Sequence, residues 1–447
     1  MTDTPLYSAL VAFAEENRAR FHMPGHKGTP SGCKLDGAFA IDYTEIPQTG
    51  NLYLEDGPIA EAESLAARWY GMGSCVFLTC GATQGIKAML ASACPMGGKI
   101  LADRNCHKSV WDACALLQIE PDYLCPETIE AYGITGGLDA EELEARLQTG
   151  GYAALLVTSP TYYGYCMDLK PIAEAAHRHG AKLLVDAAHG SHLRACGLED
   201  AAFQGADSVV FSAHKTLRAL TQGAYLLTRT REEGKTMRAN AALFGTSSPS
   251  YPIMASLDLA RAEMESGSYA AFAKRCRAFR RMIEENTPFP VPDLGDPCRL
   301  SIFTACAGLS GEEAAQRLRK RGIEPEMADC NSVVCIATPA DESENLFRLE
   351  KALLALAREE KAGPSCVVSA GRLLPEKAMT VREACFSPWE ELPLCDCAGK
   401  TAAQGIAPYP PGVPVIAPGE KIHQNFIEYL GKRRYNISNK VKVVKEA

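Results

Sequence analysis

No run of eighteen consecutive apolar residues occurs anywhere in this 447-residue chain, so no segment is expected to cross a bilayer as a helix. The first residues, Met1 to Leu10, lack the basic stretch followed by an apolar one that marks a secretion signal. There is no CxxC motif. The single close cysteine pair, Cys395 and Cys397, has no second pair at zinc-ligand spacing. The 18 cysteines are scattered, which points to reduced thiols and a cytoplasmic location rather than a disulfide scaffold. An excess of positive charge is missing too: 46 Lys+Arg against 54 Asp+Glu give a net charge of -8. That excludes the basic face of a dedicated nucleic-acid binder. The local exception is a C-terminal cluster of Lys432, Arg433, Arg434, Lys440, Lys442 and Lys445, which reads as a solvated tail. Solenoid repeats and low-complexity tracts are also absent. What remains is 47% hydrophobic and 22% charged, the balance of an ordinary globular protein. Its length suits two to four domains at roughly 100–200 residues each.

The middle of the chain alternates between two textures. Short apolar runs at Cys75–Leu78, Lys99–Ala102, Ala153–Thr158, Lys182–Asp186, Asp207–Phe211 and Ala224–Thr228 read as strands. Between several of them lie helical patterns with recognisable ends. Pro58 to Tyr70 stops at Gly71, Asp139 and Glu142 form a capping pattern ahead of Leu143 and Leu147, and Pro171 to His179 stops at Gly180. Strands that are apolar throughout and separated by helices imply an α/β fold, a mostly parallel sheet with helices on both faces. Around Asn286 to Asp296 a cluster of prolines reads as a linker. Beyond it, Ser301–Ala305, a Ser310–Arg321 helix, a Val333–Ile336 strand and a Leu346–Lys361 helix predict a smaller α+β region. The expected division is an N-terminal arm over 1–50, a large domain over 51–285 and a C-terminal α+β region over 286–447.

In such sheets ligands sit at the carboxyl ends of the strands, and each of those ends here carries chemistry. After the first run, Gly81-Ala82-Thr83-Gln84-Gly85 opens a helical run from Ile86, a turn of the kind that binds anions through free N–H groups. It is not a P-loop, because the spacing to Lys87 is wrong. Then come Asp103-Arg104-Asn105-Cys106-His107, Asp186-Ala187-Ala188-His189-Gly190 and Ser212-Ala213-His214-Lys215-Thr216. An acid ending a hydrophobic strand needs a positive partner, and Asp186 should face one. Together these pieces fit pyridoxal 5'-phosphate (PLP). That cofactor needs a lysine for its aldehyde, an acid for its ring nitrogen, a phosphate cup and a flat group against its ring. Lys215, Asp186, the Gly81–Thr83 turn with Ser212 and His214, and His107 can fill those needs. A carboxylate beside the ring nitrogen raises the nitrogen's pKa and makes the ring an electron sink.

Further motifs carry a family resemblance. Pro24-Gly25-His26-Lys27-Gly28, Asp103 to Ser109, Ser159-Pro160-Thr161-Tyr162, Asp186 to His192, Ser212 to Thr216, Thr246 to Asp258 (TSSPSYPIMASLD) and Pro408 to Glu420 (PYPPGVPVIAPGE) resemble the group-III, fold-type-I PLP decarboxylases of ornithine, lysine and arginine. The resemblance runs through most of the chain. It implies decarboxylation of one of those amino acids to its amine and CO2, in polyamine metabolism. It also implies a homodimer with the active site at its interface, where Thr246 and Ser247 reach the neighbour's cofactor. Lys215 would join the cofactor covalently, Asp186 hold its ring nitrogen, His107 stack on one face and Ala188 pack on the other. His189 would flank it, while Thr83, Ser212 and His214 bind phosphate with Gly81 and Ala82 in the turn. Glu420 and Pro24–Gly28 are placed near the substrate. The larger members' N-terminal wing domain, which helps build decamers, has no room before Pro24–Gly28, so a dimer is expected.

Two positions depart from the family. Ala82 replaces a common hydroxyl, a loss of about 1 kcal/mol if nothing replaces it, and Ala187 stands where many short members have glutamate. The same cofactor residues would also serve an aminotransferase or a β-eliminating lyase. Arg299, Arg372 and Arg382 are candidates for the bidentate carboxylate clamp that aminotransferases use. Intact Lys215, Asp186 and His107 argue against a catalytically silent homologue. The acid for the distal cation of a basic substrate is left open among Glu45, Glu55, Asp56, Glu383 and Glu420. His22 and His26 are spaced like helical metal ligands, but Pro24 and Gly25 lie between them, and His192 reads as structural.

Overall fold

A computed structural model of the chain describes residues 3–359, 363–369, 374–406, 415–432 and 440–445. Part of the Pro408–Glu420 motif, Arg372, Arg433, Arg434 and the predicted helix end at Lys361 therefore lie outside the described residues. In chain order the strands are β1 (Ser74–Leu78), β2 (Lys99–Asp103), β3 (Glu120–Leu124), β4 (Thr128–Ile129), β5 (Ile134–Thr135), β6 (Ala154–Thr158), β7 (Lys182–Asp186), β8 (Ser208–Phe211), β9 (Ala224–Thr228), β10 (Arg299–Ile302), β11 (Met327–Ala328), β12 (Val333–Ile336), β13 (Trp389–Pro393) and β14 (Lys440–Val444). The six strands expected from the apolar runs are all present, displaced by at most a residue at their ends.

The chain divides into two compact units, Met1–Ala93 with Leu184–Ala271 and Cys94–Leu183 with Phe272–Ala447. In the first unit the strand order is β1-β9-β8-β7. Here β8 runs parallel to β7, pairing Asp186 with Val210, and β9 is antiparallel to both of its neighbours. Every residue of β8 and β9 is buried, which is why their sequences show no polar alternation. In the second unit the order is β6-β2-β3, all parallel. The α/β class with mostly parallel strands thus holds. A small antiparallel β10-β12-β11 sheet and a β13-β14 pair make up the C-terminal α+β region.

Buried ion pairs fix the helices of the first unit. Glu63 on the Gly57–Tyr70 helix accepts the Phe77 amide of β1 at 2.7 Å and Arg238 of the Arg231–Phe244 helix at 2.8 Å. Arg238 also donates to the Leu52 carbonyl at 2.6 Å. Asp258, the last residue of the TSSPSYPIMASLD motif, accepts the Leu6 and Tyr7 amides at 3.0 and 3.1 Å. These are otherwise unsatisfied amides at the start of the Pro5–Glu15 helix, so the motif's acid docks the N-terminal arm.

Some predicted edges move, each for a local reason. The helix expected from Ile86 starts at Gly81, where a φ of +75° suits glycine. The helix expected from Pro171 starts at Leu169, because the Asp168 side chain accepts the Lys170 amide and acts as the cap. Ser301–Ala305 splits, since β10 ends at Ile302 and a 3-10 turn covers Thr304–Ala307. The predicted linker is tightly held. The Arg280 guanidinium donates to the carbonyls of Val291 at 3.2 Å, Asp296 at 2.8 Å and Arg299 at 2.6 Å, and also to those of Pro292 and Pro297. Replacing it strands several buried acceptors, each costing about 1–3 kcal/mol. Arg280→Met is therefore expected to lower unfolding free energy by at least about 3 kcal/mol. Urea denaturation checks this, and an unchanged midpoint would show that water can take over the guanidinium's bonds.

Candidate active site

Within the first unit three loops meet. β7 ends at Asp186, whose carboxylate is 3% exposed and accepts the Ala188 amide at 3.1 Å. The turn that follows brings His189, 6% exposed, to 3.1 Å from the Lys215 Nζ. Lys215 stands on the short Ala213–Thr216 helix that follows β8, and its amide bonds the Ser212 carbonyl at 3.0 Å. The residue pair Gln222–Gly223 then joins this turn to the Gly81 turn. The His214 amide donates to the Gly223 carbonyl at 3.3 Å, and the Gly81 amide donates to the Gln222 carbonyl at 2.9 Å. Gln222 reaches this position with a φ of +78°.

The His214 Nδ1 lies 3.2 Å from the Gly223 carbonyl and 3.3 Å from the Ser212 Oγ. Because a carbonyl can only accept, the proton is assigned to Nδ1, which leaves the Nε2 lone pair available. Burial lowers the pKa of this imidazole, the Gly223 bond opposes the shift and the Lys215 charge adds to it. On the Gly81 side, the residue's absent Cβ would meet nothing within 4 Å, Ala82 is buried and Thr83 is exposed at the helix start. Gln84 steadies that turn, accepting the Cys80 amide at 3.3 Å and donating to the Ala241 carbonyl at 2.8 Å. The expected residues Gly81, Ala82, Thr83, Asp186, Ala188, His189, Ser212, His214 and Lys215 are thus gathered in one unit.

His107 and Glu420 belong to the second unit. His107 caps the Lys108–Leu117 helix, its Nδ1 at 3.3 Å from the Ser109 amide and 2.8 Å from the Ser109 Oγ. An Nδ1 that accepts the amide leaves the ring proton on Nε2. Three residues earlier, Arg104 grips Glu420 bidentately at 2.8 and 2.6 Å, and Glu420 also accepts the Ala417 amide at 2.7 Å. Burial alone would lower the Arg104 pKa, but the Glu420 carboxylate outweighs it and the guanidinium is held above its ordinary value. Among the other acids considered for the substrate, Glu45 accepts the Thr44 hydroxyl, Glu55 lies 3.5 Å from Arg231, Asp56 accepts the Asn51 amide and Glu383 closes a capping box with Thr380. Of the arginines considered as clamps, Arg299 is fully buried 4.0 Å from Asp296, and Arg382 donates to the Ala115 carbonyl at 2.8 Å. The sequence carried no sign of Gln222–Gly223 or of Arg104 as partner of Glu420. Only the position of Arg104 after an apolar strand could have suggested the latter.

The donor set fits PLP. The Asp186 carboxylate is buried and has no ion-pairing cation among the described residues, as a partner for a protonated ring nitrogen should be. An amine, an exposed hydroxyl and an open glycine-led helix start lie on the same connected loops.

An α/β fold with its polar residues at strand ends and a lysine after β8 defines a fold-type-I enzyme. The likeness to solved structures agrees. A lysine decarboxylase of Francisella novicida superposes with a TM-score of 0.84 at 20% identity, covering 99% of this chain and 81% of that one. A serine palmitoyltransferase of Sphingomonas wittichii reaches 0.56 at 16% identity over 80% and 84%. Sequence narrows the class. The family model "Orn/Lys/Arg decarboxylase, major domain" matches residues 4–287, and the corresponding C-terminal domain matches 368–438. An arginine decarboxylase of Bacillus subtilis is 33% identical over 96% of this chain and 93% of its own length. The constitutive lysine decarboxylase of Escherichia coli is 23% identical over 94% and 75%. The chain belongs to the Orn/Lys/Arg decarboxylase family.

The depressed His214 pKa has a measurable consequence. As pH falls, the unfolded chain takes up this proton first, near the ordinary value of 6.5. The stability His214 contributes is therefore present above that value and is lost as pH falls through the folded one. Histidine NMR of the cofactor-free protein should show His214 titrating below 6.5, whereas a midpoint at or above it contradicts the assignment.

Proposed function

We propose that the chain is a PLP-dependent decarboxylase of a basic amino acid, with arginine the first substrate to test and lysine and ornithine beside it, working as a homodimer. The observation that carries this is the Asp186–His189–Lys215 cluster at adjacent strand ends. The relatives named arginine decarboxylase supply the order of substrates.

When bound, the cofactor supplies a conjugated ring that takes up the electron pair left as the bond from Cα to the carboxylate breaks. This chain's residues do the rest. Lys215 would hold the cofactor through its aldehyde. His189, at 3.1 Å, is placed to share a proton with the Lys215 Nζ. Asp186 would keep the ring nitrogen protonated, and its burial would strengthen that interaction by excluding water. Ser212 and Thr83 would hold the phosphate with the N–H groups that begin the Gly81–Ala93 helix, whereas His214, its Nδ1 proton given to the Gly223 carbonyl, has no second donor to offer while neutral. Ala188 would pack against the ring. Glu420 acts through Arg104, steadying the loop that ends in His107. Exposed Phe21, Met23, Leu35, Leu54 and Leu243 support a second copy packing on the first unit.

Lys215→Ala is expected to abolish both the cofactor's lysine-bound absorbance and CO2 release. Near wild-type turnover in that variant would remove Lys215 from its role. Asp186→Asn should keep cofactor binding detectable and reduce kcat by about 100-fold, the equivalent of about 3 kcal/mol. Chromatography of products from arginine, lysine and ornithine decides the reaction: amine plus CO2 supports decarboxylation, and a keto acid supports the aminotransferase alternative.

A further inference from the structure

The turn that begins the Gly81–Ala93 helix lacks two of the side-chain donors expected around it. Position 82 is alanine where a hydroxyl is common, and His214 gives its one proton to the Gly223 carbonyl. Another hydroxyl of the first unit lies against this turn. The Tyr53 oxygen stands 3.3 Å from the Nε2 of Gln84, a buried residue in the first turn of that helix. Tyr53 itself is half-buried rather than sealed. Space is open at the same turn, since a Cβ on Gly81 would meet no atom within 4 Å.

The partners of the Gln84 amide fix which group donates. Its oxygen faces the Cys80 amide at 3.3 Å, and that amide can only donate. Its nitrogen faces the Ala241 carbonyl at 2.8 Å, and a carbonyl can only accept. The amide is therefore not flipped, and its second N–H is the donor to Tyr53. The phenol oxygen accepts, and its own proton has no acceptor among the described residues. Burial raises the phenol's pKa, the Gln84 bond opposes the shift and Cys80 adds to it, so the proton stays on at neutral pH.

The scaffold holds this hydroxyl in place. The Tyr53 amide donates to the Asn51 Oδ1 at 2.9 Å, and Arg238, paired with Glu63, donates to the Leu52 carbonyl at 2.6 Å. A Cβ at Gly245 would collide with both the Tyr53 hydroxyl and the Gln84 nitrogen. Glycine just ahead of the Thr246–Asp258 motif thus leaves room for the two to meet. We propose that the Tyr53 hydroxyl donates a hydrogen bond to the cofactor's phosphate, in place of the hydroxyl missing at position 82. This rests on the reading of the first unit as a PLP site. A hydrogen bond to a charged oxygen is stronger than one between neutral groups, so the contact should show in affinity.

Binding of PLP and of pyridoxal, which has the same ring and aldehyde but no phosphate, tests the proposal. The enzyme is freed of cofactor and titrated with each compound in phosphate-free buffer, with protein fluorescence as the readout. Tyr53→Phe keeps the ring and deletes only the hydroxyl. It is expected to weaken PLP binding at least about fivefold and to leave pyridoxal binding unchanged. The phosphorus NMR line of bound PLP should move in the same variant. Equal PLP affinity in Tyr53→Phe and wild type overturns the proposal. So does an equal loss of PLP and pyridoxal, which places Tyr53 in the packing of the fold. A wild type that binds no PLP removes the cofactor reading, and the proposal with it.

Discussion

The burial of Asp186 is the constraint around which the first unit is arranged. A carboxylate at the end of an apolar strand loses its water, and here the Ala188 amide replaces only part of it. The neighbouring backbone offers little more, because the Ala187 amide is bonded to the Val210 carbonyl. A fixed negative charge in a dry place is costly on its own and strongly attractive to a cation that arrives there. In the proposed function that cation is the protonated ring nitrogen, and the adjoining turns then fall into place around it. Lys215 presents an amine, His189 stands against it, and the Gly81 turn is tied to the His214 turn through Gln222–Gly223.

Three other buried acids are paired with arginines. Glu63 is matched by Arg238, Asp258 by Arg261 and Glu420 by Arg104, each within hydrogen-bonding distance. Glu63–Arg238 joins two helices and Glu420–Arg104 joins the C-terminal motif to the loop after β2, while the Asp258–Arg261 pair lies within one helix, whose acid also holds the N-terminal helix by its amides. Removing one partner of such a pair leaves an uncompensated charge, so these acids hold the scaffold. Among the described residues Asp186 has no such partner, and its charge remains available to a ligand.

The strands and most helix ends were visible in the sequence because they depend on local signals. Apolar runs of five residues, Gly71 after Tyr70 and Asp139 before Glu142 each act within a turn or two. The residues at strand ends were visible for a related reason: polar side chains are conspicuous where an apolar run stops. What escaped depends on partners far apart in the chain. Nothing near Arg280 announces that it will hold a proline-rich segment by its carbonyls, and nothing near Glu420 announces Arg104, 316 positions away. The early start of the Gly81–Ala93 helix was missed because glycine is a poor helix former, yet its positive φ lets the chain turn sharply out of β1.

Fold and reaction are set by different features here. The serine palmitoyltransferase shares the architecture at a TM-score of 0.56, so the sheet and its loops do not by themselves select decarboxylation. Selection depends on which bond at Cα is held perpendicular to the cofactor ring and on how the carboxylate is treated. A transferase keeps that carboxylate and gains from a bidentate arginine, whereas a decarboxylase must let it leave as neutral CO2. A tight cationic clamp would stabilise the ground state more than the transition state and slow the step. The engagement of Arg382 with the Ala115 carbonyl and the burial of Arg299 beside Asp296 are what the second requirement favours. Of the arginines that could have served a transferase, the two among the described residues, Arg299 and Arg382, are used within the scaffold.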